Sequence, residues 1–356
     1  MVVIQVGDKI TINSKVRKYE VYFVNNIYKK LQKYNISNNF FLIDNYIYNN
    51  YFLKKNISIP KNSIIVKASE KNKEYKSISK LINKLIKKKI NKNSILIVIG
   101  GGITQDIGGF ISSILFRGIE WIFVPTTLLA QGDSCIGSKT SINFDNLKNQ
   151  IGTYNPPSKV FIFMNFLKSL KKKELLSGLG EMSHYFILDS LKSYNLFNNE
   201  ILKKNINLKR LIINSLKIKK KYIEIDEFEK NLRKKLNYGH SFGHAIESVS
   251  KYKVPHGVAV AKGIDIINYI SFKMGYMTSN YRNKIRITLY NLYREYDFNK
   301  FSAMNIYNAI KKDKKSNQTS IDLILLKKPG INKIKNIKFN SYLKNIFLEY
   351  MKYEND

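Results

Sequence analysis

Five short apolar runs, separated by stretches of helical periodicity, restrict this chain more than any other feature. FFLID (40–44), SIIVKA (63–68), ILIVIG (95–100), WIFVP (121–125) and KVFIF (159–163) predict β-strands. Several are apolar throughout, as strands covered on both faces of a parallel sheet are. Between them, SISKLINKLIKKKINK (77–92) repeats its apolar residues at helical spacing, and 104–115 and 127–136 also suit helices. That alternation predicts βαβ units and hence a doubly wound α/β sheet. After about residue 170 the pattern changes to long helical stretches, 173–188, 206–225, 240–250 and 257–273, with few strand candidates. The expected organisation is an α/β nucleotide-binding domain over 1–170, followed by a mostly α-helical domain over 171–356.

Composition agrees with a folded chain of this kind. Of 356 residues, 44% are hydrophobic and 13% aromatic, enough apolar surface to offset the entropy of ordering. The single cysteine, Cys135, excludes an intrachain disulfide framework and any cysteine-rich zinc module. The start, MVVIQVGDKITINS, lacks a basic segment followed by an apolar core, and the apolar runs are too short to span a bilayer. A cytoplasmic protein that does not enter the membrane is expected. Lys and Arg outnumber Asp and Glu by 61 to 26, a net charge of +35. The lysines are scattered on helix-like segments instead of forming one stripe, which argues for solvated faces over a nucleic-acid surface. The same field would concentrate a small phosphorylated substrate.

Chemistry-bearing residues form three groups. Gly100, Gly101 and Gly102 fall where a buried strand gives way to a helix, so backbone amides can approach a pyrophosphate at a helix N-terminus. The spacing is not GxGxxG. Asp44 ends the FFLID strand, where a carboxylate can accept hydrogen bonds from a ribose. In the second group, all four histidines lie between 184 and 256. His240 and His244 share a helical face at i and i+4, as do Glu181 and His184 at i and i+3, and His256 follows at another helix start. Two imidazoles, a carboxylate and an open position describe a catalytic zinc site, but spacing leaves open which of these five residues are ligands. The third group, Asp133 and Lys139 in QGDSCIGSKTSIN with Lys148 and Asn149 in NLKNQIG, suits recognition of phosphate or hydroxyl groups.

Taken in order, GGGITQD, FRG, PTTLLAQGDSCIGSKTSIN, KNQIG, GLGEM, LRKKLNYGHSFGHAIE and HGVAVAKGI resemble the dehydroquinate synthase family of sugar-phosphate cyclases, over roughly residues 40–270. The resemblance implies an N-terminal NAD-binding domain, a helical domain holding a divalent metal (zinc or cobalt), and a phosphorylated sugar acid as substrate. It implies Glu181, His240 and His256 as metal ligands and His244 as a substrate contact. The glycine turn, Asp106, Thr126, Thr127, Lys139 and Lys148 would adjoin the cofactor, with Asp44 at the adenosine ribose and Lys76 of EYKS on the cofactor side. Asp133, Lys139, Asn149, Lys219, Glu229, Arg233, Asn237 and one of Lys314 and Lys315 would serve the substrate. Arg117 of FRG resembles a residue donated across a homodimer interface. The implied reaction cyclises DAHP to 3-dehydroquinate, with NAD used and regenerated and phosphate released.

Three departures mark a divergent branch. His184 replaces the lysine usual three residues after the metal-binding Glu, exchanging a constant cation for a shorter titratable ring. Val258 stands where Glu is usual after HG, and Ser138 where a glycine is usual. The alternatives are a cyclase acting on a neutral sugar phosphate, such as sedoheptulose 7-phosphate or glucose 6-phosphate (the 2-deoxy-scyllo-inosose synthase kind), an NAD-dependent metal alcohol dehydrogenase, and a basic nucleic-acid-binding protein.

Overall fold

The computed structural model describes residues 9–145, 147–312 and 319–353 and divides into two compact units. Unit 1 comprises Met1–Leu170 with Lys220–Phe228, and unit 2 comprises Lys171–Lys219 with Glu229–Asp356. Lys314 and Lys315 lie outside the described residues.

Unit 1 contains strands β1 (Lys9–Asn13), β2 (Lys18–Phe23), β3 (Phe40–Asp44), β4 (Ser63–Val66), β5 (Ile95–Gly100), β6 (Glu120–Pro125), β7 (Lys139–Phe144), β8 (Leu147–Tyr154) and β9 (Lys159–Ile162). Its helices are α1 (Ile27–Gln32), the single turn α2 (Asn45–Ile47), α3 (Tyr75–Lys87) and α4 (Gly102–Ile114). Seven strands form one sheet in the order β1-β2-β9-β6-β5-β3-β4, parallel except for β1 at the edge. All five strands expected from the apolar runs are present, and the centre of the sheet is as dry as their composition requires: β3 is buried along its whole length, β5 and β6 at all but the first residue. Two hairpins were not expected. β1 and β2 alternate buried and exposed residues, and β7 and β8 pair outside the main sheet with many residues in solvent, so neither gives an uninterrupted apolar run. The segment expected as a helix over 127–136 is helical over its centre, 128–134, and widens to a π-helix over Ala130–Ser134.

Strand order also locates a crevice. From β3 the chain moves outward to β4, and from β5 it moves the other way to β6 and β9. β3 and β5 are paired neighbours, so the direction of winding reverses between their carboxyl ends, where open α/β sheets bind ligands.

Unit 2 is mostly helical: α5 (Lys172–Asp189), α6 (Leu191–Ile201), the start of α7 (Leu208–Ile225), α8 (His240–Val249), α9 (His256–Lys273), α10 (Ser279–Tyr293), α11 (Ala303–Lys311) and α12 (Ser341–Tyr353), with one unexpected hairpin, β10 (Ser320–Lys328) and β11 (Ile331–Lys338). Helix α9 is buried from Gly257 through Ser271, and α5, α8, α10 and α12 all touch it. It is buried on every side because it is the axis of the unit, and the carboxylate it carries there, Asp265, is partnered by Arg282, Tyr293 and Tyr350. No helix among the described residues is long and apolar enough to cross a membrane.

Candidate active site

In unit 1 the glycine turn occupies the crevice. A Cβ on Gly100 would lie 2.5 Å from the Thr104 side chain, and one on Gly101 would lie 2.8 Å from Thr127 Cγ2, whereas Gly102 faces open space. Glycine is therefore demanded by packing at the first two positions and leaves room for a ligand at the third. Thr126, buried, donates its N–H to the Gly100 carbonyl at 3.0 Å, and Thr127 Oγ1 accepts from Ala130 N at 3.2 Å. Asp44 ends β3, where Oδ1 accepts from Tyr46 N (2.8 Å) and Ile47 N (3.3 Å). It caps the α2 turn in addition to standing at the crevice.

Asp106 on α4 anchors a second group. Its Oδ1 accepts from Ser141 N at 3.0 Å, and its Oδ2 lies 2.5 Å from Lys73 Nζ, which also donates to Asn149 Oδ1 at 2.7 Å. Lys148 pairs with Glu70 at 3.1 Å. The lysine facing Asp106 is Lys73, buried, while Lys76 is exposed on the first turn of α3. The buried face of α3 carries Ile78, Leu81 and Leu85, and Lys76, two residues before Ile78, falls on the opposite, open face of a 3.6-residue helix. Asp133 is half-buried in the Ala130–Ser134 π-helical segment and Lys139 is exposed at the start of β7. Ser138 has φ of +66°, a conformation that favours glycine. Its hydroxyl donates to the buried carboxylate of Glu227, which also accepts from Ser14 Oγ and Lys15 N, so a side-chain hydrogen bond holds the serine in that strained turn. Arg117 is exposed, with φ of +63° in a surface turn.

In unit 2 three helices bring imidazoles and carboxylates together. Glu181 is buried on α5, and its oxygens lie 3.4 Å from His240 Nε2 at the start of α8 and 3.3 Å from His256 Nε2 at the start of α9. His256 Nδ1 faces Glu247 Oε2 at 2.8 Å and His240 Nδ1 faces the Tyr238 carbonyl at 3.3 Å. His184, also buried, puts Nδ1 3.9 Å from Glu181 Oε1. The His244 ring lies 5.7 Å from the rings of both His240 and His256. Before α8, Glu229 Oε1 accepts from Asn237 Nδ2 at 2.6 Å, while Arg233 and, on α7, Lys219 are buried.

Glycines set these distances. A Cβ on Gly180 would lie 2.1 Å from the Gly257 carbonyl oxygen, one on Gly257 1.8 Å from the Ser177 carbonyl oxygen, and one on Gly263 2.1 Å from the Gly239 carbonyl oxygen. Helices α5 and α8 therefore meet α9 backbone to backbone. Each of Glu181, His240 and His256 is the chain neighbour of one of these glycines.

Electrostatics and geometry both suit a cation. Burial alone would raise the Glu181 carboxyl, but the His240 and His256 imidazoles overcome it and hold it well below the usual carboxylate range. Burial likewise lowers His256, and the Glu247 and Glu181 carboxylates outweigh it, leaving the imidazole well above 6.5. Ligand atoms of Glu181, His240 and His256 all lie within 4.8 Å of one another. Bonds of about 2.0–2.1 Å to a tetrahedral ion place neighbouring ligand atoms roughly 3.3 Å apart, the spacing found between each Nε2 and Glu181. These residues fit a divalent ion.

Family models for the N-terminal and C-terminal parts of 3-dehydroquinate synthase match residues 63–177 and 178–316 of this chain. The chain belongs to the 3-dehydroquinate synthase family. It is 38% identical to a 3-dehydroquinate synthase of Pelagibacter ubique over 96% of this chain and 98% of the relative. Among solved structures its fold resembles 2-deoxy-scyllo-inosose synthase, solved with carbaglucose-6-phosphate, NAD+ and Co2+, with a TM-score of 0.85 and 21% identity over 96% of this chain and 100% of that one. It also resembles the 2-epi-5-epi-valiolone synthase of Streptomyces hygroscopicus, solved with NAD+ and Zn2+, at TM-score 0.80 and 19% identity over 95% and 97%. Within this 3-dehydroquinate synthase family member, Lys73 and Glu247 join the sites without having been singled out from sequence. Glu247 could have been, because it lies seven residues after His240 and three after His244, on the same face of α8.

Proposed function

We propose that this chain is an NAD- and metal-dependent 3-dehydroquinate synthase, a carbon–oxygen lyase that cyclises DAHP to 3-dehydroquinate with release of phosphate. The observation that carries this reading is the convergence of Glu181, His240 and His256 from three helices in a member of this family. Glu181, His240 and His256 would hold a zinc or cobalt ion, and in unit 1 Asp44, Lys76, the Gly100–Gly102 turn, Asp106, Thr126, Thr127, Lys139 and Lys148 would hold NAD, with Lys73 anchoring Asp106. When bound, NAD supplies reversible hydride exchange at a hydroxyl carbon and the ion supplies Lewis acidity at its oxygen.

This chain's own residues have the remaining work. The Arg233 guanidinium can grip the substrate carboxylate in a two-toothed fork. Lys139, Lys219 and Asn149 provide donors for phosphate and hydroxyl oxygens, stabilising charge that develops as phosphate departs. Asp133 and Glu229 accept from substrate hydroxyls, Glu229 being steadied by Asn237. His244 contacts substrate from the α8 face that carries His240, and His184 faces substrate from the α5 face that carries Glu181. The exposed left-handed turn at Phe116–Gly118 suits Arg117 to donation toward a second copy, so the assembly is a homodimer. The pathway is aromatic biosynthesis through shikimate, in the cytoplasm.

The deciding experiment incubates purified protein with NAD, zinc or cobalt, and DAHP, then repeats it with sedoheptulose 7-phosphate and glucose 6-phosphate. Phosphate and 3-dehydroquinate should appear one to one from DAHP without accumulation of NADH. Phosphate release only from a sugar lacking the carboxylate would overturn the substrate assignment, and stoichiometric NADH would indicate an alcohol dehydrogenase instead.

A further inference from the structure

We propose that Glu247 is a positioning residue of the metal centre, which fixes the His256 imidazole in the tautomer that presents Nε2 to the ion. This rests on the metal-centre reading above. A neutral imidazole carries one N–H and one lone pair, and an ionised carboxylate can only accept. With Glu247 Oε2 2.8 Å from Nδ1, the proton belongs on Nδ1, and the lone pair on Nε2 is aimed at the Glu181 side, where Oε2 lies 3.3 Å away. His240 has the same orientation, Nε2 toward Glu181 and Nδ1 toward an outer acceptor, but that acceptor is the neutral Tyr238 carbonyl at 3.3 Å. Of the two imidazoles, His256 alone has a carboxylate behind it. A carboxylate raises the basicity of the ring it holds, and such outer partners typically contribute 10–100-fold in metal affinity.

Glu247 also belongs to a second possible ligand group, with His244 and His256, whose donor atoms again lie within 4.8 Å of one another. Distance separates the two roles. The 2.8 Å between Glu247 and His256 Nδ1 is a hydrogen-bond length, well short of the roughly 3.3 Å between two ligands of one tetrahedral ion. Charge points the same way. Glu181 and Glu247 together balance a divalent cation, and the Glu247 side chain is only 14% exposed, so its charge is weakly screened.

The test is zinc affinity and stoichiometry, measured on the full chain by competition with a chromogenic chelator, for the wild type, Glu247→Gln and Glu247→Ala. Thermal unfolding of the metal-free forms checks folding. Gln keeps an acceptor for Nδ1–H and the shape of the side chain but removes the charge; Ala removes both. The expected result is one ion per chain throughout, with affinity about 10-fold weaker for Gln and about 100-fold weaker for Ala, and a cobalt absorption spectrum of unchanged coordination. Affinities within twofold of wild type in both variants would overturn the proposal, as would a changed cobalt coordination or a stoichiometry falling from two to one, which would make Glu247 a ligand. A wild-type chain that takes up no zinc would overturn the metal-centre reading itself, a result distinct from normal wild-type uptake with insensitive variants.

Discussion

His256 stands between two carboxylates, and that position makes ion uptake a proton exchange. Its folded pKa is raised, so in the metal-free protein its proton contributes stability that is fully present below about 6.5 and is lost as pH rises through the raised value. A bound ion needs the lone pair, so the proton must leave. Glu181, depressed well below its ordinary range, is already ionised and releases none. Apparent zinc affinity should therefore climb about tenfold per pH unit between pH 6 and the raised His256 value, one proton per ion; chelator competition at several pH values checks this, and a flat profile would contradict it. Replacing Glu181 by Gln should abolish stoichiometric zinc, whereas His184→Ala should keep zinc and impair turnover, measured as metal content against phosphate release. Spacing along the chain was enough to nominate Glu181, His184, His240, His244 and His256 but not to choose among them. The choice depends on which nitrogen of which ring faces Glu181, a tertiary fact fixed by helices that only meet in the folded unit. Lys73 illustrates the same boundary: no motif pointed to it, and only the folded unit brings its ammonium to Asp106.

Helix and strand junctions carry the next set of consequences. Gly102 opens α4 with nothing within 4 Å of a would-be Cβ, so Gly102→Ala should leave thermal stability unchanged or slightly raised, alanine being up to about 1 kcal/mol the better helix former. If a pyrophosphate lies against that backbone, NAD should bind roughly tenfold more weakly, on the order of 1.4 kcal/mol, as fluorescence titration would register. Gly257→Ala should behave in the opposite manner. Its methyl meets the Ser177 carbonyl, so α5 and α9 must separate at a cost of roughly 1–3 kcal/mol, a fall of about 2–12 °C in Tm. Zinc should weaken with it, because Glu181 and His256 sit beside that crossing. At this scale β3, β5 and β6 were legible because central parallel strands are apolar throughout, and α5, α8 and α9 because their length exceeds any strand. The β7–β8 and β10–β11 hairpins were not, since long exposed stretches and Lys-rich alternation resemble helix surface as readily as strand edge.

For the molecule as a whole, a net charge of +35 acts on encounter more than on fold. With a phosphorylated, carboxylated substrate, kcat/KM should fall several-fold between roughly 0.05 and 0.5 M salt while kcat changes little, since screening shortens the reach of the field. Steady-state kinetics at constant pH would measure it, and an unchanged kcat/KM would remove steering from the account. The α/β-then-helical order was legible from the change in periodicity near residue 170, whereas the return of Lys220–Phe228 to unit 1 was not, because nothing in a helical repeat records which neighbour its last turns will join. The three proposed ligands come from residues 181, 240 and 256, on separate helices, so an ion held among them is also a rivet. By mass action it favours the folded state in proportion to its free concentration. Starvation for the ion would then do more than silence the enzyme: it would expose the chain to proteolysis and shorten its life in the cell.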